Sequence, residues 1–443
     1  MLLKLKTSLG NINYKLLIAL LIMGLCPAIY NTLRVFWLGQ LPGEYSFSIA
    51  GQLSWVNLFY EVINEAIVLP LFFFIGKVLD DKKELCNRIK TGLIISFSVY
   101  FVLSLIIIIF ARPLLELMAA SVDIIDASVD YIRLESVANI FGILFTYLLV
   151  ALVTLGESKH VYILTFVRLV ICVIFDTFMV SSLPISLNLG VNGIAISNII
   201  VNIIMFIVSI CILVKQGINI LNKNKLDFTW AKSFFKIGGI SGVESFVRNI
   251  FYMLMICRMV NVVGEQGTYW VANNFIWGWL LLPITQLAEL IKQETSTNPS
   301  AVKNNSLAYF VITLFVCLLW FITIPLYKPF MKHVLQFSDV DKLFELVIIL
   351  LGFYVLYAFQ NVFDATFYGL GKTHYMLFES IVTNVVYYGI CFILYLANIF
   401  EPSLIGIALM FGIGNAFDSV VSFIAYRFLL KKNNINILDV CIN

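Results

Sequence analysis

Twelve long apolar runs constrain this chain more than any other feature of its sequence. They lie near residues 14–38, 47–76, 90–111, 131–155, 160–182, 190–214, 234–262, 267–291, 305–327, 343–370, 373–398 and 403–430. A helix that crosses a bilayer needs about 20 consecutive apolar residues. In hydrocarbon, only helices and closed barrels satisfy their own backbone. Barrel strands need only about 10 alternating residues, so runs this long read as helices. The composition agrees: 61% of the 443 residues are hydrophobic and 12% are charged, against about 25% charged in a soluble domain. The expected fold class is an all-α membrane protein of twelve transmembrane helices. The first run lacks a small-residue cleavage site and reads as the first span rather than a signal peptide.

Charge in the links between runs gives the orientation. One set carries Lys4, Lys6, Lys15, Lys77, Lys82, Lys83, Arg88, Lys90, Lys159, Lys215, Lys223, Lys225, Lys232, Lys236, Lys292, Lys303, Lys372, Arg427, Lys431 and Lys432; the other holds Arg112, Lys328, Lys332 and Lys342. By the positive-inside rule, the first set and both termini are cytoplasmic, in a multi-pass protein of the cytoplasmic membrane. The longest polar link divides the chain into residues 1–215, a connector at 216–232 and residues 233–443. Short matches support two related six-helix halves. Leu155-Gly156 with His160 recurs as Leu370-Gly371 with His374, and Gly193-Ile194-Ala195 recurs as Gly406-Ile407-Ala408. Six spans per half make the repeat parallel, a pattern in which substrate sites lie between halves near the midplane.

The net charge of +3 gives no footprint for nucleic acid. No phosphate-binding loop, catalytic triad or metal-ligand spacing is present, so neither an enzyme nor a cofactor-bearing protein is expected. Of the cysteines, Cys86 and Cys441 stand outside the cores of the apolar runs and the other six within them, with no CxxC motif, and they read as reduced small hydrophobes. The expected partners are a small-molecule substrate and membrane lipid, with the protein a monomer.

Several segments resemble the multidrug and toxic compound extrusion (MATE) family, part of the wider multidrug/oligosaccharide-lipid/polysaccharide exporter superfamily. They are Asn31 to Leu41, Pro70 to Lys83, Ile174-Phe175-Asp176 followed by Gly190 to Ala195, Ile237-Gly238-Gly239, and Gln360 to Ala365 ahead of Gly369-Leu370-Gly371. The resemblance covers nearly the whole chain. It implies a secondary transporter that exports small organic molecules by alternating access, driven by transported protons or sodium ions. One departure stands out: where that family usually has Asp, five residues before the glycine of the first-helix motif, this chain has Arg34. Arg248, at a seventh-helix position that carries Glu in some members, stands 214 residues later, at the offset of the His pair.

Ionisable groups within a membrane cost roughly 2.5–3.5 kcal/mol on insertion scales and normally mark function or a paired interior. Here they are Arg34, Glu61, Glu65, Arg133, Glu135, Arg168, Asp176, Glu244, Arg248, Arg258, Glu289, Asp364, Glu379 and Asp418. Asp364 and Asp176 match family acids and are the preferred ion-coupling candidates. Glu61 and Glu65, one turn apart with Asn64 beside them, are further ones. Arg34, with Asn31 one turn back, has two main readings: a cavity cation for an anionic group, or an ion pair with Glu61 or Glu65. Arg248, with Glu244 one turn back, is read alike. Gln360, Tyr357 and Trp277 complete the substrate-binding candidates. Two alternatives stay open: an exporter or flippase for an anionic or lipid-linked substrate held by Arg34 and Arg248, and a membrane receptor or scaffold that transports nothing.

Overall fold

The computed structural model describes residues 2–41, 45–218, 220, 226–433 and 435. The connector expected at 216–232 therefore lies partly outside the described residues, as does Cys441. The described residues form helices in the order α1 (Leu2–Gly10), α2 (Tyr14–Gly39), α3 (Ser46–Gly76), α4 (Lys82–Leu117), α5 (Val122–Thr154), α6 (Ser158–Met179), α7 (Val191–Lys215), α8 (Ala231–Tyr252), α9 (Arg258–Val262), α10 (Gln266–Phe275), α11 (Leu282–Thr297), α12 (Ala301–Asn304), α13 (Ser306–His333), α14 (Val340–Gly369), α15 (His374–Ile381), α16 (Gly389–Leu396) and α17 (Leu404–Lys432). Three wider π-helical turns interrupt the longer elements: Met253–Cys257 after α8, Ile276–Leu280 after α10, and Val382–Tyr388 between α15 and α16.

The expected fold class holds. Ten helices are long and apolar enough to cross a membrane, and Gln266–Leu280 with Leu282–Thr297 makes an eleventh, bent by 52° where Pro283 enters α11. The remaining run is α3, a 31-residue helix that carries Glu61 and Glu65. Apolar side chains that a soluble protein would bury face outward instead, as with Ile106, Ile109 and Phe110 of α4 and Phe315, Ile322 and Leu326 of α13. Such a surface suits lipid.

Local chemistry sets the helix ends, and it sets them twice. Asp81 caps α4 by accepting from the backbone N–H groups of Lys83 and Glu84. Asp339 accepts from Lys342 at α14, and Ser403 from Gly406 at α17. A side-chain oxygen placed there satisfies a helix N–H that has no intrahelical partner. Just past α5 and α14, the left-handed Gly156 (φ 78°) and Gly371 (φ 66°) turn the chain away, a conformation open to glycine at little cost. Beyond α4 and α13, Ala119 and Gln336 take the same region (φ 55° and 54°). An Arg112–Asp126 ion pair ties α4 to α5, and Lys328–Asp341 ties α13 to α14 at 2.5 Å. These pairs recur at separations of 215 to 217 residues, close to the offset of the sequence matches.

By packing, the chain forms two compact units: a central one, Leu33–Trp270, and a terminal one, Met1–Thr32 together with Val271–Asn443. The boundaries fall inside α2 and α10. They differ from the division at 216–232 because packing and repeat are separate properties: α8, which opens the second half of the repeat, packs against α3 of the first. A Cβ added to Gly238 would run into the Ala66 carbonyl oxygen, and one at Gly242 would stand 2.8 Å from the Ala66 Cβ. Glycines four apart let helix backbones approach, and close packing of that kind drives association in lipid, where no hydrophobic force acts between helices. Within the central unit, α5 is the axis, with Tyr147, Leu148, Ala151 and Leu152 fully buried.

The terminal unit has its own core. Phe363 and Phe367 of α14 pack with Ala425, Tyr426, Leu429 and Leu430 of α17 and Val302 of α12. A second cluster joins Ile12 and Leu17 to Leu287, Leu290, Ile291, Tyr309 and Val362. Glu294 accepts hydrogen bonds from the Asn13 backbone, the Asn305 amide and the Tyr309 hydroxyl (2.9, 2.9 and 2.5 Å), which pins the start of α2 to the end of α11.

Candidate functional site

Each unit buries a polar network built around intramembrane acids, and the two differ in charge. In the central unit, Arg34 of α2 enters from the last two turns of its helix, while Asp176 stands on α6, Glu135 on α5 and Asn198 on α7. The Arg34 Nε donates to Asp176 Oδ2 at 2.6 Å and Nη2 to Asp176 Oδ1 at 3.4 Å. Nη2 also donates to the Asn198 side-chain oxygen at 2.6 Å. The other end of that amide, Nδ2, donates to Glu135 Oε1 at 2.8 Å, and Tyr131 is buried one turn before Glu135 on α5. Asn198 is thus oriented by its neighbours: its oxygen faces the donor-only guanidinium and its amide faces the acceptor. The side chain of Arg34 is 13% exposed and that of Asp176 1%.

The pairing expected of Arg34 is therefore corrected. Its carboxylate comes from α6, 142 residues away, and not from Glu61 or Glu65. Those two acids belong to Arg248, whose Nη2 lies 2.5 Å from Glu65 Oε1 and 3.8 Å from Glu61 Oε1. This second cluster is wetter, with Arg248 33% and Glu61 48% exposed. Asn64 is half-buried on the same helix, and Asn31 is exposed. The side chain of Glu244 lies outside the described residues, so Glu65 is the described neutraliser of Arg248.

In the terminal unit, Asp364 and Gln360 project from α14, Glu379 from α15, Thr383 from the π turn after it, and Asp418, Ser419 and Ser422 from α17. Ser422 donates to Asp364 Oδ1 at 2.8 Å. Gln360 Nε2 donates to Asp418 Oδ2 at 2.6 Å and, more weakly, to Asp364 Oδ2 at 3.3 Å. Its own oxygen accepts from Ser419 at 2.9 Å. Thr383 donates to Asp418 Oδ1 at 2.6 Å. Glu379 is 3% exposed, and its Oε1 has no donor beside it. Among the described residues, no salt bridge includes Asp364 or Glu379.

The α14 stripe continues outward from this cluster. Tyr357 lies two turns before Asp364 on the same face, and its carbonyl accepts from the Asn361 side chain at 2.8 Å. Trp277, carried on the π turn Ile276–Leu280 and 44% exposed, meets Tyr357 edge to face at 5.7 Å and Tyr354 at 6.3 Å. Trp55, by contrast, is fully buried and bonds Gln52, so it serves packing.

The sequence picked out Arg34, Asp176, Asp364 and Gln360 as functional candidates, and the structure brings them together two by two. It named Glu135, Glu379 and Asp418 only as intramembrane acids. It gave no sign of Asn198, Thr383, Ser419 or Ser422, uncharged residues in apolar runs that nothing local distinguishes.

Comparison with known proteins agrees with this architecture. Residues 19–178 match the MatE family. The chain is similar to an inward-facing multidrug resistance MATE transporter of the MOP superfamily, with a TM-score of 0.76 at 17% identity over 91% of this chain and 94% of that one. It is similar to a point mutant of the MATE transporter VcmN from Vibrio cholerae, with a TM-score of 0.69 at 13% identity over 97% and 98%. It also resembles a MOP superfamily transporter from Pyrococcus furiosus, for which a binding pocket of reversed polarity suggests a different function, with a TM-score of 0.68 at 18% identity over 97% and 98%. No curated protein matches the chain.

Proposed function

We propose that this MATE-fold chain is a secondary transporter of the cytoplasmic membrane that exports small amphipathic organic molecules by alternating access, coupled to proton re-entry through its terminal unit. The observation that carries the reading is a buried acid cluster served by neutral donors: Ser422 and Gln360 donate to Asp364, Gln360 and Thr383 to Asp418, and Glu379 Oε1 has no donor beside it. Carboxylates are acceptors only, so they depend on donors from elsewhere. In a low dielectric, acids buried in one cluster also resist ionising together. A proton taken up there supplies a donor and removes a negative charge.

The substrate class follows from the stripe beside the acids. Tyr357 and Trp277 offer aromatic surface, and Asp364 one turn beyond Gln360 offers negative charge when its proton leaves. An organic cation with an apolar body fits both, since aromatic faces and carboxylates each attract positive charge. Binding favours the deprotonated cluster; protonation weakens the attraction and promotes release. Orientation with both termini cytoplasmic rests on the Lys and Arg distribution. Arg34 and Arg248 both hold carboxylates of this chain, which supports a structural role for them over capture of an anionic substrate.

Reconstituted protein should accumulate a cationic dye or biocide when a pH gradient is imposed, and Asp364→Asn should abolish that uptake. Full transport by Asp364→Asn would remove the acid from the mechanism. Uptake that tracks an imposed sodium gradient instead, or an anionic probe that is carried in preference, would replace the coupling ion or the substrate class.

A further inference from the structure

The central unit contains an oxygen-rich frame of the kind that holds a cation, and a side chain of the protein already fills it. The frame comes from three helices: both oxygens of Asp176 on α6, the side-chain oxygen of Asn198 on α7, and the Glu135 carboxyl, with Tyr131 one turn before it, on α5. Asp176, Glu135 and Tyr131 are each more than nine-tenths buried. The positive charge arrives from a fourth helix, α2, on the long Arg34 side chain. The repeat does not duplicate the arrangement. Arg248, which stands 214 residues after Arg34, is paired with Glu65, while the terminal unit's own acids sit with Gln360, Thr383, Ser419 and Ser422.

We propose that Arg34 is a resident cation: its guanidinium permanently occupies a cation site framed by Asp176 and Asn198, with Glu135 behind Asn198, so this site exchanges no ion with either side of the membrane. The physical reasons are charge and attachment. Arg cannot be deprotonated in a protein, so no pH within reach empties the site. It is also covalently tethered, so a free ion must displace a group whose local concentration is fixed and whose fork bonds Asp176 through two nitrogens. This site then adds nothing to the ion stoichiometry. Truncating Arg34 leaves Asp176 and Asn198 facing a space the size of a guanidinium, and a small free cation should enter it.

The test needs no substrate, so it stands apart from the transport reading. Purified wild type and Arg34→Ala are melted in chloride salts of choline, sodium and guanidinium at equal ionic strength and millimolar concentration. The wild type should melt alike in sodium and choline. Arg34→Ala should melt lower in choline and regain several degrees, saturably, in guanidinium or sodium. Adding Asp176→Asn should remove that recovery. An Arg34→Ala protein that melts identically in all three salts overturns the proposal, as does a wild type that sodium stabilises and Asp176→Asn does not. Should Arg34→Ala give no folded protein, the charge-neutral pair Arg34→Met with Asp176→Asn supplies the second measurement. It should melt alike in all three salts, and a recovery in sodium or guanidinium without the Asp176 carboxylate overturns the proposal.

Discussion

The central and terminal units bury comparable polar networks on related helices, yet one pairs its acid with a fixed cation while, among the described residues, no salt bridge includes Asp364 or Glu379 of the other. In the central unit, Arg34 is held by Asp176 and Asn198, and through Asn198 by Glu135. In the terminal unit, Asp364 and Asp418 are bridged by neutral donors, and Glu379 is buried on the neighbouring helix. The contrast separates two uses of a buried charge. An acid with a permanent countercharge is a tie between helices, because changing its protonation costs the whole pair. An acid whose neighbours are hydroxyls, amides and a second acid can gain or lose a proton, and it pulls only its hydrogen bonds along.

The largest expected effect removes the movable charge. Asp364→Asn should eliminate proton-driven uptake in proteoliposomes while the protein remains folded, since Asn keeps an oxygen for Ser422. Next comes breaking the tie. Asp176→Ala leaves the Arg34 guanidinium without its carboxylate, and loss of one partner of a buried pair costs about 3–5 kcal/mol. Denaturant or thermal unfolding should show it, and a loss below about 1 kcal/mol would mean the pair behaves as a surface one. Glu379→Gln sharpens the contrast further. A permanent amide donor takes the place of a proton on Glu379, so stability should change little while transport loses its dependence on pH. The smallest effect is expected from Arg248→Ala. Its pair with Glu65 is partly wet, and ion pairs of that kind contribute at most about 1 kcal/mol, so unfolding should move slightly and uptake of a cationic probe hardly at all.

How much of this was legible in the sequence differs between the two networks for a physical reason. Apolar length reports the spans, and the offset between Arg34 and Arg248 reports the repeat, because both are properties of sequence order. The stripe of Tyr357, Gln360 and Asp364 on α14 is legible too, since helical periodicity places residues three and four apart on one face. Partner choice is not. Arg34 could meet Glu61 or Glu65 on the adjacent helix as far as sequence goes. It meets Asp176 because α6 and α7 bring Asp176 and Asn198 to it, and tertiary packing leaves no periodic trace. Glu379 and Asp418 stand out as acids within apolar runs, but their convergence on Asp364 depends on how α15 and α17 rotate against α14.

The π turn Val382–Tyr388 gives that rotation a mechanical meaning. Compared with an α-helix, a π turn accommodates surplus backbone without breaking the span. Returning one residue to α geometry would turn α16 by about 100° and advance it about 1.5 Å, the increments of a single residue. In this chain the slack begins three residues after Glu379 and includes Thr383, which bonds Asp418. The span His374–Leu396 can therefore answer a change at the acids as a ratchet answers a released pawl: by one tooth, with its hydrogen-bonded length intact.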